Sequence, residues 1–250
     1  MKLSSLSNKT KEILIGSLLG DGSLKIYEPY KNARFSFRHS IKQKEYFFWK
    51  VDQLKEISSS SCWWKQKKNS LGGEMLRYQS LALPDLTSLY RLTHKKKRLT
   101  VRRKWLNMAG PISLFVWWMD DGSITANGRK GVLCTDSFNQ DELKIIVRYL
   151  KITWAVKTKI GKVKIKTLRG ETKEYYRLWI RSTEELKKLL RIILPFLKVA
   201  SMIPKVLLLY KDSQLQQRWI SEVSEITGFS QKTVKTYLLK KKSRWKHFRE

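Results

Sequence analysis

The sequence predicts an α+β fold in which one structural unit is used twice and is followed by a small helical C-terminal unit. An apolar segment ending in Asp-Gly-Ser occurs twice, with Asp21 and Asp121 100 residues apart. The tetrapeptide at 37–40, followed by Gln and Glu, is echoed 97 residues later at 134–137. The apolar pattern changes after Tyr210. We therefore expect two related halves at 10–105 and 108–210, and a tail at 217–245.

The charge balance indicates a polyanionic partner. The 250 residues include 52 Lys+Arg against 21 Asp+Glu, a net charge of +31. Such an excess favours nucleic acid or an acidic membrane surface, with an acidic protein as a weaker third possibility. Disorder is excluded because 42% hydrophobic residues supply a core. The most apolar window, 189–210, fails as a membrane span because Arg191, Lys198 and two prolines interrupt it.

Cysteine usage and the N-terminal segment predict an intracellular protein. Cys62 and Cys134 form no C-x-x-C motif, and the three histidines are dispersed, which argues against structural zinc and a disulfide framework. The first ten residues contain no apolar run typical of a signal peptide. We expect a bacterial cytoplasm, or a chloroplast or mitochondrion if the gene is organellar.

The first half reads as helix, two strands, helix, two strands, helix. Its motif helix is the apolar run at 14–20, and the alternating segment 34–38 is typical of a strand. A helix is expected at 46–57, a further strand at 74–82, and a closing helix at 86–92.

The second half repeats this order. The Gly110-Pro111 step opens its motif helix at 114–121, because proline is favoured in the first helical turn. A helix is expected at 141–150, alternating strands at 162–166 and 176–181, and a closing helix at 184–196.

The tail is predicted to form a helix-turn-helix. A helix at 220–227 precedes Gly228, which permits a tight turn, and Ser230 is a suitable N-cap for a second helix. Val234 and Leu238 give that helix an apolar face, while Lys232 and Lys235 lie elsewhere on it. DNA binding is the functional interpretation; an ordinary helical hairpin is the alternative.

The two Asp-Gly ends predict a metal site. Gly16 and Gly20 lie one helical turn apart, so a second helix could approach closely along that face. Two such helices packed in parallel would bring Asp21 and Asp121 together, and their repulsion is relieved by a hard divalent cation. This arrangement favours metal-assisted phosphodiester hydrolysis. One Asp-Gly alone is equally typical of a helix C-cap and turn, but the repetition argues against that interpretation.

Residues 14–22 and 114–122 resemble the nine-residue motif of the LAGLIDADG homing endonucleases, in the single-chain form with two motifs. The resemblance covers about 12–210 and implies a duplicated αββαββα fold whose two antiparallel sheets form a DNA-binding saddle. It implies Asp21 and Asp121 as the catalytic, metal-binding pair, with Gly20 and Asp120 as further metal ligands. The implied cofactor is Mg²⁺, with Mn²⁺ as a substitute. Val116 departs from the small residue of the first motif.

The family also places a lysine from each half near the metal. The stretch at 96–100 resembles the first lysine motif without its proline, and 202–205 resembles the second with proline in place of tyrosine. Lys97 and Lys205 are therefore the expected catalytic lysines, with Lys96 and Arg98 as alternatives to Lys97. Such a lysine stabilises developing negative charge or orients the attacking water; the alternative is a simple phosphate contact.

Alternating strand residues predict a DNA-reading surface, since a two-stranded ribbon fits the major groove. Arginines and Gln79 are favoured for base contacts, whereas lysines also suit a solvated face or phosphate contact. The tryptophan pairs at 63–64 and 117–118 are expected in the core. The expected DNA-binding set is Lys25, Arg34, Ser36, Arg38, Lys65, Lys67, Arg77, Gln79, Arg129, Lys162, Lys164, Lys166, Arg177, Arg181, Lys232 and Lys235.

The resulting hypothesis is a monomeric, sequence-specific endonuclease that acts on double-stranded DNA and is encoded within an intron or an intein-like mobile element. The intron is favoured because no splicing-domain blocks flank the motifs. The resemblance implies cleavage of both strands across the minor groove, leaving short 3′ overhangs without a covalent intermediate. One alternative is an RNA maturase whose partner is the host group I intron. Another is a DNA-binding regulator without catalysis. No membrane partner is expected.

Overall fold

A computed structural model describes residues 6–66, 73–125, 128–166 and 170–244. The chain divides into two compact units, Met1–Asp120 and Asp121–Glu250. The helices are α1 (Asn8–Leu19), α2 (Lys44–Gln53), α3 (Pro84–Thr93), α4 (Arg103–Leu106), α5 (Pro111–Asp121), α6 (Gln140–Trp154), α7 (Thr183–Ile193), α8 (Ser213–Thr227) and α9 (Gln231–Lys242). The strands are β1 (Ser23–Lys25), β2 (Arg34–Ser40), β3 (Trp63–Gln66), β4 (Met75–Gln79), β5 (His94–Lys95), β6 (Arg98–Leu99), β7 (Gly122–Thr125), β8 (Lys130–Leu133), β9 (Lys159–Lys166) and β10 (Thr172–Ile180).

The first unit is built on an antiparallel sheet in the order β1-β2-β4-β3. Phe35 and Phe37 alternate with polar residues along β2 and are buried, as is Tyr78 on β4. The Phe37 and Tyr78 rings stack with centroids 4.9 Å apart. One face of the sheet is therefore a core face, and the opposite face carries polar side chains.

The first motif helix and residues 111–120 of the second pack in parallel inside the first unit. A Cβ atom at Gly16 would lie 2.4 Å from the carbonyl oxygen of Ser113, so glycine is required for this approach. The Ser113 hydroxyl donates to the Glu12 carbonyl oxygen at 2.8 Å, and the Ile112 N–H donates to the Glu12 carboxylate at 2.9 Å. The close contact expected at Gly16 is confirmed, although Val116 stands opposite it.

The second unit contains an antiparallel sheet in the order β7-β8-β10-β9. Helix α6 begins with a capping box between Asn139 and Glu142 and ends at Ala155, which adopts a left-handed conformation with φ 54°. Leu178 and Ile180 on β10 are fully buried. The repeated order of helices and strands in the two units confirms the predicted α+β fold.

The tail is a pair of helices, α8 and α9, packed on the second unit. Gly228 ends α8 in a left-handed conformation with φ 80°, and the Ser230 hydroxyl caps α9 by accepting from the Thr233 N–H at 3.2 Å. The Trp219 indole is buried and donates to the Val206 carbonyl at 3.1 Å. Helix α8 begins at Ser213, before the expected start of the tail.

One core prediction was only half correct. Trp117 and Trp118 are buried, but Trp63 and Trp64 are 42% and 39% exposed, because β3 is the edge strand of its sheet. In the part of the chain that the structure describes, no helix is long and apolar enough to cross a membrane.

Candidate active site and nucleic-acid interface

Asp21 follows the C-terminal cap of the first motif helix and presents a partly exposed carboxylate. Gly20 caps α1 through bonds from its N–H to the carbonyls of Gly16 and Ser17. The Asp21 side chain is 43% exposed. Its backbone N–H donates to Oδ2 of Asp120 at 3.3 Å. The position expected to carry the catalytic acid therefore faces solvent, while its backbone is anchored to the second motif.

Asp120 lies in a buried ion pair. Its side chain and that of Lys50 are both 0% exposed, and Lys50 Nζ lies 2.8 Å from Oδ2 and 3.0 Å from Oδ1. The Tyr46 hydroxyl donates to Oδ1 at 2.9 Å. Lys50 therefore neutralises Asp120, and a metal ion at this carboxylate would compete with two hydrogen bonds from Lys50. The metal role expected for Asp120 stays a prediction.

His39, on strand β2, lies between the side chains of Asp21 and Asp120. Its Nδ1 is 3.6 Å from Oδ2 of Asp21, and its Nε2 is 3.8 Å from Oδ1 of Asp120. The imidazole ring is buried, and its centroid lies 5.2 Å from the centroid of the Tyr46 ring. Asp21, His39 and Asp120 offer ligand atoms within 4.8 Å of one another. The partly exposed Asp21 carboxylate supplies the oxygen ligands that a hard divalent cation such as Mg²⁺ prefers.

The second unit gathers charged groups around Cys134. The Cys134 N–H donates to the backbone oxygen of Asp121 at 3.1 Å. Burial raises the pKa of the Cys134 thiol. The positive charges of Arg177 and Lys205 oppose this increase in pKa, and the negative charge of Asp121 adds to it. Arg177 holds Asp136 through two hydrogen bonds of 2.8 and 2.7 Å, which raise the pKa of its guanidinium. The charges of Arg177, Asp121, Asp136 and Lys205 thus all act on the Cys134 thiol.

Lys97 lies at the exposed tip of the β5-β6 hairpin. Lys96 and Lys97 occupy its turn with φ 49° and 62°. Among the described residues, no hydrogen bond or ion pair joins Lys97 to Asp21. Lys50 is a lysine of the first unit that contacts one motif acid, Asp120. Sequence reasoning missed it because nothing distinguishes it from any other lysine of an amphipathic helix. The catalytic assignment of Lys97 stays a prediction.

The polar face of the first sheet carries six of the sixteen expected DNA-binding residues. Directly opposed residues of an antiparallel pair share a face. Ser36 opposes Gln79, and Arg38 opposes Arg77. On the same face Lys25 opposes Arg34.

Lys65 was wrongly placed on this polar face. It opposes Leu76, so it points to the other face, where it pairs with Glu74 at 2.8 Å. Trp64 opposes Arg77 instead, and the guanidinium carbon lies 5.4 Å from the centre of its ring. Lys67 lies outside the described residues.

The second sheet separates residues that were expected to act together. Lys162 and Lys164 oppose Tyr176 and Glu174, so they share the face of buried Leu178, as does Lys166. Arg177 opposes Gly161 and points to the opposite face, whereas Arg181 lies beyond the end of β10 at Ile180. Lys162 and Lys164 both pair with Glu174. The alternation is confirmed, the lysines lie on the face opposite to Arg177, and their DNA-binding role stays a prediction.

The remaining expected DNA-binding residues are exposed. Arg129 precedes β8, Arg181 follows β10, and Lys232 and Lys235 lie on α9. His39 and Asp136, which sequence reasoning did not select, occupy equivalent positions in the 97-residue echo. That repetition was the available signal for both residues.

Comparison with known proteins identifies the family. The model of the LAGLIDADG DNA endonuclease family matches residues 11–189. DNA endonuclease I-ChuI of Chlamydomonas applanata is 25% identical over 176 residues, which are 63% of this chain and 78% of that protein. Protein RecA of Mycobacterium gastri is 35% identical over 127 residues, 50% of this chain and 29% of that protein. The chain thus spans less than a third of this RecA.

A solved structure has the same fold. The homing endonuclease I-WcaI bound to its DNA recognition sequence aligns with a TM-score of 0.68 and 22% identity, covering 83% of this chain and 89% of that chain. The family match extends across both Asp-Gly motifs and both sheets. The chain therefore belongs to the LAGLIDADG family of DNA endonucleases.

Proposed function

We propose that this protein is a Mg²⁺-dependent, sequence-specific homing endonuclease that cuts both strands of its DNA target across the minor groove, leaving short 3′ overhangs. The observation that carries the proposal is the difference in exposure and ion pairing between the carboxylates of Asp21 and Asp120. Asp21 is 43% exposed, whereas Asp120 is buried and neutralised by Lys50. The first motif therefore keeps its carboxylate accessible to a cation and a phosphate.

Asp21 and Asp121 would hold the metal, each serving one DNA strand. When bound, Mg²⁺ supplies Lewis-acid activation and charge neutralisation at the scissile phosphate. His39 Nδ1 lies 3.6 Å from Oδ2 of Asp21, so the imidazole borders that carboxylate from strand β2. Lys50 forms a buried ion pair with Asp120 and so balances the charge of that carboxylate. Lys205 would stabilise the negative charge that develops on the phosphate.

The polar face of the first sheet would read the major groove. Ser36 and Gln79 stand opposite each other, as do Arg38 and Arg77. Arginine suits the acceptor edge of guanine and glutamine suits adenine, because each makes two hydrogen bonds to that base. Such contacts supply specificity, while lysines elsewhere contact phosphates.

The test is cleavage of a supercoiled plasmid that carries the intron-less allele of the host gene. With Mg²⁺ the protein should yield linear DNA, and a chelator should abolish the reaction. Asp21→Asn and Asp121→Asn should each leave nicked circles, because one strand remains uncut. Asp141→Asn, an exposed acid on α6, is the matched control and should cut normally. Linear product from the double variant Asp21→Asn/Asp121→Asn would refute the catalytic assignment.

The same assay separates the other functions. Binding without cleavage would favour the non-catalytic regulator, and faster splicing of the host intron in the presence of the protein would favour the maturase. We further propose an intracellular monomer, which light scattering with and without target DNA would test.

A further inference from the structure

The second unit contains a cationic cleft between the end of α9 and the segment Ala200–Lys205. Its volume is about 490 Å³. Lys205 lines one side, and Lys240, Lys241 and Arg244 from the last turns of the tail line the other. No carboxylate lines the cleft among the residues that the structure describes. Four cations that share a cleft repel one another, so the cleft is suited to an anion.

The hydrogen bonds of Lys241 hold one cation of this cleft in a fixed position, so the cleft is not a chance cluster of surface lysines. Its Nζ donates to the carbonyl oxygens of Pro204 and Leu207, both at 2.7 Å. Burial lowers the pKa of Lys241 to about 7. Burial disfavours the positive charge of Lys241, and the cations of Lys205, Lys240 and Arg244 in the same cleft repel it. An anion beside Lys241 stabilises this charge.

The cleft also offers neutral hydrogen-bond donors. Ser201 and Tyr237 contribute to its lining. The Ser201 hydroxyl is buried and has no hydrogen-bond partner among the described residues. Hydroxyls combined with Lys and Arg are the side chains that proteins use for phosphate oxygens of nucleic acids.

We propose that this cleft, defined by Lys205, Lys240, Lys241 and Arg244, binds a backbone phosphate of duplex DNA. The proposal rests on the proposed function only in naming DNA as the polyanion. It assigns the C-terminal turn of α9 to the DNA backbone. In a helix-turn-helix the N-terminal residues of the second helix contact base edges instead. The cleft also lies beside Ser123, which follows the second Asp-Gly motif, so the phosphate is held next to that motif.

The first experiment compares the salt dependence of binding to a labelled, mixed-sequence duplex by fluorescence anisotropy. Lys240→Gln/Arg244→Gln removes two charges from the cleft, and both residues are exposed. Lys144→Gln/Lys211→Gln removes two exposed charges elsewhere in the same unit. The magnitude of the log-log slope should fall by about 0.9 for each lost phosphate contact in the cleft variant. Equal slopes for the two variants would overturn the proposal.

The second experiment measures acetylation of lysines in the wild-type protein by mass spectrometry. Duplex DNA should reduce acetylation of Lys205 and Lys240 but not of Lys144. Inorganic phosphate, at the same total phosphate concentration, should protect them less. Undiminished acetylation with duplex would overturn the proposal, and equal protection by inorganic phosphate would overturn the assignment to DNA.

The two proposals fail separately when cleavage is measured on the same preparations. Mg²⁺-dependent cleavage without protection of Lys240 from acetylation would overturn the phosphate-binding proposal for the cleft and leave the nuclease proposal standing. Protection of Lys240 without cleavage by the wild type would support the cleft and overturn the nuclease.

Discussion

Lys50→Met should destabilise the first unit by about 3–5 kcal/mol, the typical cost of leaving one partner of a buried ion pair uncompensated. Both side chains of the Lys50–Asp120 pair are fully buried, and Lys50 contributes two hydrogen bonds of 2.8 and 3.0 Å. After the change the Asp120 carboxylate keeps the Tyr46 hydroxyl and the Asp21 N–H. Neither of these groups supplies a positive charge, and His39 Nε2 lies 3.8 Å from Oδ1 of Asp120, beyond hydrogen-bond distance.

The assay is urea denaturation monitored by tryptophan fluorescence, with a double-mutant cycle. Asp120→Asn alone should also be destabilising, because it leaves Lys50 charged and buried. The double variant Lys50→Met/Asp120→Asn removes both charges and should recover most of the loss, with a coupling free energy of about 2–3 kcal/mol. A loss below about 1 kcal/mol for Lys50→Met, or simple additivity, would refute the view that Lys50 neutralises Asp120.

Three further predictions concern stability. Gly16→Ala should cost about 1–3 kcal/mol of unfolding free energy, because the new methyl group meets the Ser113 backbone. Gly73→Ala, whose new methyl group has no described atom within 4 Å, should be nearly neutral in the same denaturation assay. Lys241 has a folded pKa of about 7 against an ordinary 10.5, so the unfolded chain binds more protons between these values and stability should rise with pH there. This contribution of up to about 1.4 kcal/mol per pH unit should be lost from the slope in Lys241→Met but retained in Lys235→Met; equal slopes for the two variants would contradict the buried position. Gly228→Ala should lower stability by about 1 kcal/mol through its left-handed conformation alone, since nothing lies within 4 Å, and an unchanged melting temperature would contradict this.

Local pattern accounts for much of the fold. The repeated Asp-Gly motif predicted both motif helices, and Gly16 predicted their close approach because a missing Cβ is a property of the residue itself. Gly228 and Ser230 predicted the end of α8 and the start of α9 for the same reason: backbone conformation and capping depend on neighbouring atoms. Alternation likewise identified the buried residues Phe35 and Phe37.

Alternation could not decide which face of an outer strand points to the core. Lys162 and Lys164 alternate as well as Arg34 and Ser36 do, yet the register of β9 against β10 places them on the face of Leu178. A strand pattern has two faces of equal period, and only the pairing partner distinguishes them. The exposure of Trp63 also follows from its place on an edge strand.

The sequence by itself determined the duplicated architecture, the two Asp-Gly ends and the polyanionic partner, because these depend on residue type, spacing and net charge. Only the tertiary structure decided which charges meet. It paired Lys50 with Asp120, 70 residues apart, and left Asp21 partly exposed. It also placed Lys241, in the tail, where its ammonium group donates a hydrogen bond to the carbonyl of Pro204. Burial and long-range pairing set the energy of a charge, and neither is encoded in a local pattern.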